Sequence, residues 1–203
     1  MRTRHALFLV LLAAPGSVAA QAPGARWIVT LGVEGMRYGA AAQDTVTAPA
    51  GAAADLRPSG RLGVRVALQR ALGAWRVGAA LGWAQGDVEA GNDVIAIRDR
   101  TADLSRYRVA GGVERRLTRL GAGELAAEAG PTLDLWMLDG TTRTRVGAEC
   151  ALALRLPMGT VELENRVAFG ISASPLEEED VGGEFELRAL RALEIGVGVR
   201  VPL

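Results

Sequence analysis

The side chains with the most chemical capacity in this sequence are charged, and their types narrow what they could do. Glu177-Glu178-Glu179-Asp180 sets four acids in succession. Such a run could hold Ca²⁺ or Mg²⁺ through carboxylate oxygens; in a loop it also reads as a plain solvated segment, and no metal site is expected from it. Glu162 and Glu164 are two residues apart, so on a strand both point the same way. That spacing suits acid–base work and equally suits two partners for arginines, the reading favoured here. Gly121-Ala122-Gly123-Glu124-Leu125-Ala126 matches the dinucleotide pattern G-x-G-x-x-A, but the pattern needs a helix after it. Gly130-Pro131 leaves room for at most two turns, so the segment is expected to be a turn and no cofactor is expected.

Two absences limit the chemistry further. The single histidine is His5 and the single cysteine is Cys150. Downstream of position 5 there is therefore no imidazole to serve as general base beside a Ser or a carboxylate. One thiol and no His also exclude the usual zinc geometries and any intramolecular disulfide. Cys150 shares the parity of Ala148 and Leu152, which makes it a small apolar side chain and not a nucleophile. An enzyme is not expected.

The remaining candidates form one set of alternating charges: Glu34, Arg65, Arg76, Arg106, Arg108, Glu114, Glu128, Glu149, Arg155, Glu162, Glu164 and Arg166. Something must place them on a common surface. From Trp27 onward, segment after segment alternates apolar with polar or small residues, and a period of two puts one set of side chains on each face of a strand. Trp27, Val29, Leu31 and Val33 oppose Thr30, Gly32 and Glu34. Val64, Val66 and Leu68 oppose Arg65 and Gln69, and Trp75, Val77, Leu81 and Trp83 oppose Arg76, Gly78 and Gly82. Tyr107, Val109 and Val113 oppose Arg106, Arg108 and Glu114; Leu125, Leu133 and Leu135 oppose Glu124, Glu128 and Asp134. Val146, Cys150, Leu152 and Leu154 oppose Glu149 and Arg155; Val161, Leu163, Val167 and Phe169 oppose Glu162, Glu164 and Arg166. Leu193, Ile195, Val197, Val199 and Val201 oppose Glu194, Gly196, Gly198 and Arg200. This gives eight segments, near the length of a tilted membrane strand, and no run of 18 apolar residues that would make a spanning helix.

Residues 1–20 are a domain of their own. Arg2 and Arg4 form a positive start, residues 6–14 an apolar core, Pro15-Gly16 a break, and Val18-Ala19-Ala20 a small-residue cleavage site, which together read as a signal peptide. Cleavage after Ala20 leaves a barrel domain at 21–203 carrying a net charge of −2, since the whole chain is neutral and two arginines leave. The absence of a basic excess argues against nucleic acid as a partner. All basic residues are Arg.

Alternation alone does not say which face is inside, because a soluble lipocalin-like barrel has the same period. The polar face mixes Gly and Ala with Arg and Glu and has few of the neutral polar residues of a solvated sheet. A narrow interior needs small residues for room and opposite charges that satisfy one another. Connections also alternate in length, with short turns near 70–73, 117–123 and 157–159 and longer links expected at 39–60, 86–103, 138–142 and 172–183. Short turns on one rim and longer loops on the other fit an outer-membrane arrangement. Trp75 and Trp83 share a face eight residues apart, roughly 26 Å along the strand, or roughly 19 Å along the membrane normal at a tilt of about 45°. Trp27, Tyr38, Tyr107, Phe169 and Phe185 fall near strand ends and suit aromatic girdles. Trp136, also near a strand end, has the parity of Asp134 and turns inward unless a bulge intervenes. Residues 185–203 form a long alternating stretch that is either one protruding strand or a hairpin turning near Arg191.

On this pattern the chain resembles the small eight-stranded bacterial outer-membrane β-barrel proteins (porin-like outer membrane proteins), over essentially all of 21–203. The resemblance implies an all-β, closed, antiparallel up-and-down transmembrane barrel, located in the outer membrane, monomeric, with outer-membrane lipid and the barrel-assembly machinery as partners. Members of this class usually end in an aromatic residue after alternating apolar positions; here the alternation is intact and the last residue is Leu203. The function expected is non-enzymatic, structural or surface-interacting, around a packed polar interior. A small porin-like channel for ions or small solutes and a soluble periplasmic lipocalin-like ligand-binding barrel are the alternatives.

Overall fold

The computed structural model describes residues 26–44, 54–60, 62–91, 96–138, 140–181 and 185–203, without the side chains of 96–103. The signal peptide expected at 1–20 lies outside the described residues. Eleven strands and one short helix follow in order: β1 (Trp27–Tyr38), β2 (Ala42–Asp44), β3 (Asp55–Pro58), β4 (Leu62–Leu72), β5 (Trp75–Gly91), β6 (Ala96–Leu120), β7 (Gly123–Leu138), β8 (Thr141–Met158), β9 (Val161–Ser172), α1 (Glu178–Val181), β10 (Phe185–Leu187) and β11 (Leu190–Pro202).

Eight of these close a ring in the order β1-β4-β5-β6-β7-β8-β9-β11, with β11 returning to β1 and every pairing antiparallel. Closure gives every barrel strand an antiparallel neighbour on each side within the ring, the condition for crossing hydrocarbon with strands; β6 and β8 run on beyond it, where 96–103 is not paired with β7 nor 141–146 with β9. On one rim the connections are tight. Gly73, Gly121 and Gly159 adopt φ of 66°, 61° and 67° there, a region that a side chain disfavours. The G-x-G-x-x-A segment is thus a turn, with Gly121 at its bend and Gly123 opening β7.

The opposite rim departs from the expected loops. The link at 86–103 is largely strand: β5 and β6 continue past a register shift at Gly86/Val88 and still pair Val88 with Asp99 and Gly91 with Ala96. At the link expected at 138–142, Leu138 already pairs with Thr141, and Gly140 adopts φ 88°. The stretch from Phe185 is neither one strand nor a hairpin at Arg191. Arg191 lies within β11 opposite Ile171, and β10 is a separate strand that pairs with β2. β2 in turn pairs with β3, and β3 with the outer part of β5. The rim therefore carries a small sheet, β10-β2-β3-β5, standing on the barrel. Here backbone pairing, which alternation does not encode, decided the outcome.

The walls have opposite character. Outward side chains are apolar and exposed along every barrel strand, among them Leu31, Leu62, Val66, Leu81, Val109, Leu133, Val146, Leu152, Val167, Ile195 and Val199, with Leu62 at 75% and Leu31 at 61% exposure. Inward side chains are small or charged and buried: Asp134 and Arg200 are both 0% exposed. A water-soluble barrel would show the reverse, since a continuous apolar belt of this size cannot face water; the lipocalin-like alternative is set aside on that ground. Cys150 is on the outer wall and exposed.

Trp27, Trp75, Tyr107 and Phe169 are exposed on the outer wall. Tyr38, Trp136 and Phe185 are not girdle residues. No register shift interrupts β7 against β8, so Trp136 keeps its inward parity and is 2% exposed, as Tyr38 is at 6%. Phe185 packs on the rim from β10.

Candidate functional site

The interior is built by parity. Each barrel strand contributes every second residue to the lumen, and antiparallel pairing brings inward charges from adjacent strands to the same level. Eight strands enclose a space just wide enough for side chains, and these fill it in three tiers.

The tier nearest the short turns centres on Arg155. Its guanidinium meets Glu164 (Nε–Oε2 2.9 Å), Glu124 (Nη1–Oε1 3.1 Å) and Glu114 (Nη1–Oε1 2.6 Å), with a second, very close contact from Nη2 to Glu114 Oε2. Arg76 donates to the same two glutamates, Glu114 and Glu124, at 2.6 and 2.7 Å. Arg200 reaches Glu162 at 2.8 Å, Gln69 at 2.9 Å and Glu164 at 3.3 Å, while Gln69 Nε2 donates to Glu114 at 3.2 Å.

The middle tier is looser. Arg65 lies 3.8 Å from Glu34 and 3.6 Å from Glu128. Arg166 lies 3.3 Å from Glu34 and 3.7 Å from Glu128, and is in close contact with Glu149. Glu149 links upward to Arg108 at 2.7 Å.

In the third tier Arg106 and Arg108 share one carboxylate, Asp134, at 3.0 and 2.7 Å through their Nε atoms, and share Glu194 at 2.9 Å each. Arg106 also donates to the Tyr38 hydroxyl at 3.0 Å and lies over the Tyr38 and Trp136 rings, 5.6 and 5.3 Å from their centroids. These two rings meet edge to face at 5.8 Å. The charge network thus ends under an aromatic floor.

Above that floor an apolar cap closes the long-loop mouth. Tyr38, Ala41, Ala42, Leu104, Trp136, Leu176, Leu190 and Ala192 form one buried cluster, and Pro175 is fully buried beside it. Two arginines with inward parity on β8 hold the segment 173–181 across the opening. Arg143 forks over Asp180 at 2.5 and 2.8 Å and donates to the Pro175 carbonyl at 3.1 Å. Arg145 donates to the Ser174 carbonyl at 2.5 Å and to Glu177 at 2.8 Å. Ser174 Oγ donates to the Ala41 carbonyl at 3.0 Å. A cavity beneath the cap, lined by Met36, Tyr38, Ser59, Arg106 and Trp136, has about 10 Å³, about the space of one water.

The twelve charges expected to face inward lie on the inner wall, each within an ion-paired tier. The alternation left out of that set Glu124, Asp134, Glu194 and Arg200, although all four carry the inward parity; Gln69 and Tyr38 join them. Of the acidic run at 177–180, Glu177 and Asp180 serve the two arginines while Glu178 and Glu179 are exposed, and no group of carboxylates, thiols or imidazoles is arranged for a metal among the described residues. Glu162 and Glu164 face the same way, and each faces arginines of the same tier, Glu162 with Arg200 and Glu164 with Arg155 and Arg200.

No protein-family profile and no curated protein sequence matches the chain. Solved structures do. Neisserial surface protein A is similar at 13% identity, over 88% of this chain and 98% of that one, with a TM-score of 0.55. A major outer membrane protein from Thermus thermophilus is similar at 11% identity, over 88% and 99%, at 0.56. The outer membrane protein OprG from Pseudomonas aeruginosa is similar at 9% identity, over 89% and 96%, at 0.54. At such identities the likeness is one of fold: the chain has the closed, eight-stranded fold of small outer-membrane β-barrels.

Proposed function

We propose that this chain is an integral outer-membrane barrel that is exported by a leader at 1–20, works without catalysis, and presents the rim sheet and the capped mouth to the exterior as a structural or surface-interacting element. The observation carrying this reading is the inverted polarity of the wall: exposed apolar residues outside, a closed arginine–carboxylate network inside. The outer belt suits lipid. The inner network commits its charges to one another, and the apolar cap covers the end where a solute would enter. A conducting pore would need an unfilled, hydrated path, whereas the tiers and cap fill the section between the described strands.

A non-enzymatic role follows from the same commitment. Each carboxylate of the three tiers is within ion-pairing distance of a guanidinium, which keeps it occupied. The rim sheet β10-β2-β3-β5 and the clamped segment 173–181 give the outward end a defined shape, suited to contact with other molecules.

Membrane fractionation followed by gel electrophoresis tests the reading. The chain should sediment with the outer membrane, need detergent for release, and migrate differently with and without boiling. Release as a soluble protein by osmotic shock would overturn it.

A further inference from the structure

Two arginines on the outer wall behave unlike those inside. Arg70 on β4 and Arg115 on β6 point outward near the short-turn rim and are exposed. Among the described residues neither has a carboxylate within ion-pairing distance; each instead lies over a tryptophan. Arg70 Cζ is 5.7 Å from the centroid of the Trp27 ring, and Arg115 Cζ is 5.2 Å from that of Trp75. The pairs are set by register, Trp27 opposite Arg70 and Trp75 opposite Arg115, with Leu72 opposite Trp75 between them. They therefore occupy four consecutive strands, β1, β4, β5 and β6, as one row below the apolar belt.

We infer that this row binds the phosphate of an anionic glycerophospholipid in the leaflet on the short-turn side; the inference rests on the membrane-spanning reading above. An unpaired guanidinium is strongly disfavoured in hydrocarbon, whereas at headgroup depth it can meet phosphate. The indole ring favours that same depth. Stacking on the ring holds the guanidinium plane and leaves its N–H edge free to donate two parallel hydrogen bonds to phosphate oxygens. Inside the barrel every arginine that reaches the lumen tiers has its anion supplied by the chain. Outside, the chain supplies the aromatic platform and leaves the anion to the surroundings, and lipid phosphate is the anion available at that depth. Leu72, 48% exposed, lies between the platforms where an acyl chain would start.

The test uses the purified, folded chain in vesicles of phosphatidylcholine in which either that lipid or added phosphatidylglycerol carries brominated acyl chains, with quenching of tryptophan fluorescence as the readout. Trp27 and Trp75 report their own lipid neighbours. Brominated phosphatidylglycerol is expected to associate preferentially, by about fivefold for each arginine at low salt, with the preference falling at high salt and in R70Q/R115Q, while R188Q on the rim leaves it unchanged. Equal quenching by both lipids in the parent protein would overturn the inference, as would an undiminished preference in a folded R70Q/R115Q. Absence of quenching by either lipid would instead overturn the membrane-spanning reading itself. If R70Q/R115Q does not fold, the lipid preference of the parent and its loss with salt decide the matter.

Discussion

Arg155 on β8 and Glu114 on β6 meet across the intervening strand β7, with the guanidinium forked over the carboxylate and Nη1 lying 2.6 Å from Oε1. Both side chains are almost wholly buried, at 3% and 1% exposure. Burying such a pair costs solvation that its mutual attraction only roughly offsets, but removing one partner strands the other. Arg155→Ala would leave Glu114 with Arg76 and Gln69 alone and deprive Glu164 of its nearest cation. It should therefore destabilise the barrel by about 3–5 kcal/mol, against less than about 1 kcal/mol for Arg188→Ala in the exposed Arg188–Glu186 pair. Urea titrations of protein folded into lipid vesicles would give both values, and equal tolerance would mean that the interior is solvated.

The partner of Arg155 also shapes a rescue experiment. Glu162 lies on the following strand and shares the inward face, but it pairs with Arg200, while Glu164 stands directly opposite Arg155 in register. Glu164→Gln should recover part of the stability lost in Arg155→Ala, and Glu162→Gln should not. The coupling from the corresponding double-mutant cycles checks this.

Polarity of the wall predicts an ordering of substitutions. Leu152→Arg or Val197→Arg, on the outer wall midway along β8 and β11, should cost roughly 2–4 kcal/mol. Gly82→Ser, on the inner wall where an added Cβ would find Arg108 Cβ at 3.6 Å and the Val64 carbonyl at 3.8 Å, should cost much less. Gly63→Ser should not be mild, since a Cβ there collides with Met36 and lies 2.8 Å from the Trp83 carbonyl. Refolding yields and vesicle titrations would reveal the order.

The clamp across the mouth should be acid-sensitive. Burial works to raise the Asp180 carboxyl, but hydrogen bonds from Arg143 and the Glu177 amide, with the charges of Arg143 and Arg145, hold it below its ordinary value of 3.8. A depressed carboxylate contributes closure that is fully present above the ordinary value and is lost as pH falls through the lower one. Hydrogen exchange of the 173–181 amides should thus be unchanged from pH 8 to 5 once intrinsic rates are allowed for. It should accelerate below about 4, and Asp180→Asn should accelerate it at neutral pH. Identical protection in Asp180→Asn and parent would show that the Arg143 clamp does not hold the segment.

Much of the barrel was legible because a single rule, parity, governs both walls. Leu31 and Glu34, or Leu152 and Arg155, betray their faces from spacing alone. The rule also carried Trp136, whose inward position follows from Asp134 two residues earlier. What parity could not supply was the partner of each charge, because register across strands depends on where turns close and where bulges fall; Arg155 and Glu164 are an instance. Nor could it foresee the rim. β10 and β2 are three residues each, too short to show a period, and they are stabilised by one another and by the cap that Leu176 and Tyr38 help to form. The acidic run at 177–180 showed its charge but not the two arginines, 32 to 37 residues earlier in the chain, that it serves.

Conductance of the purified barrel in planar lipid bilayers tests the central claim most directly, with insertion verified by the boiling-dependent gel shift. A lumen filled by three ion-paired tiers and closed by the Tyr38–Trp136 floor should pass no steady current at neutral pH, and conductance should emerge only when a tier or the floor is cut, as in Arg106→Ala combined with Trp136→Ala. A stable, ohmic conductance in the unaltered protein would contradict the account and identify the interior as a channel.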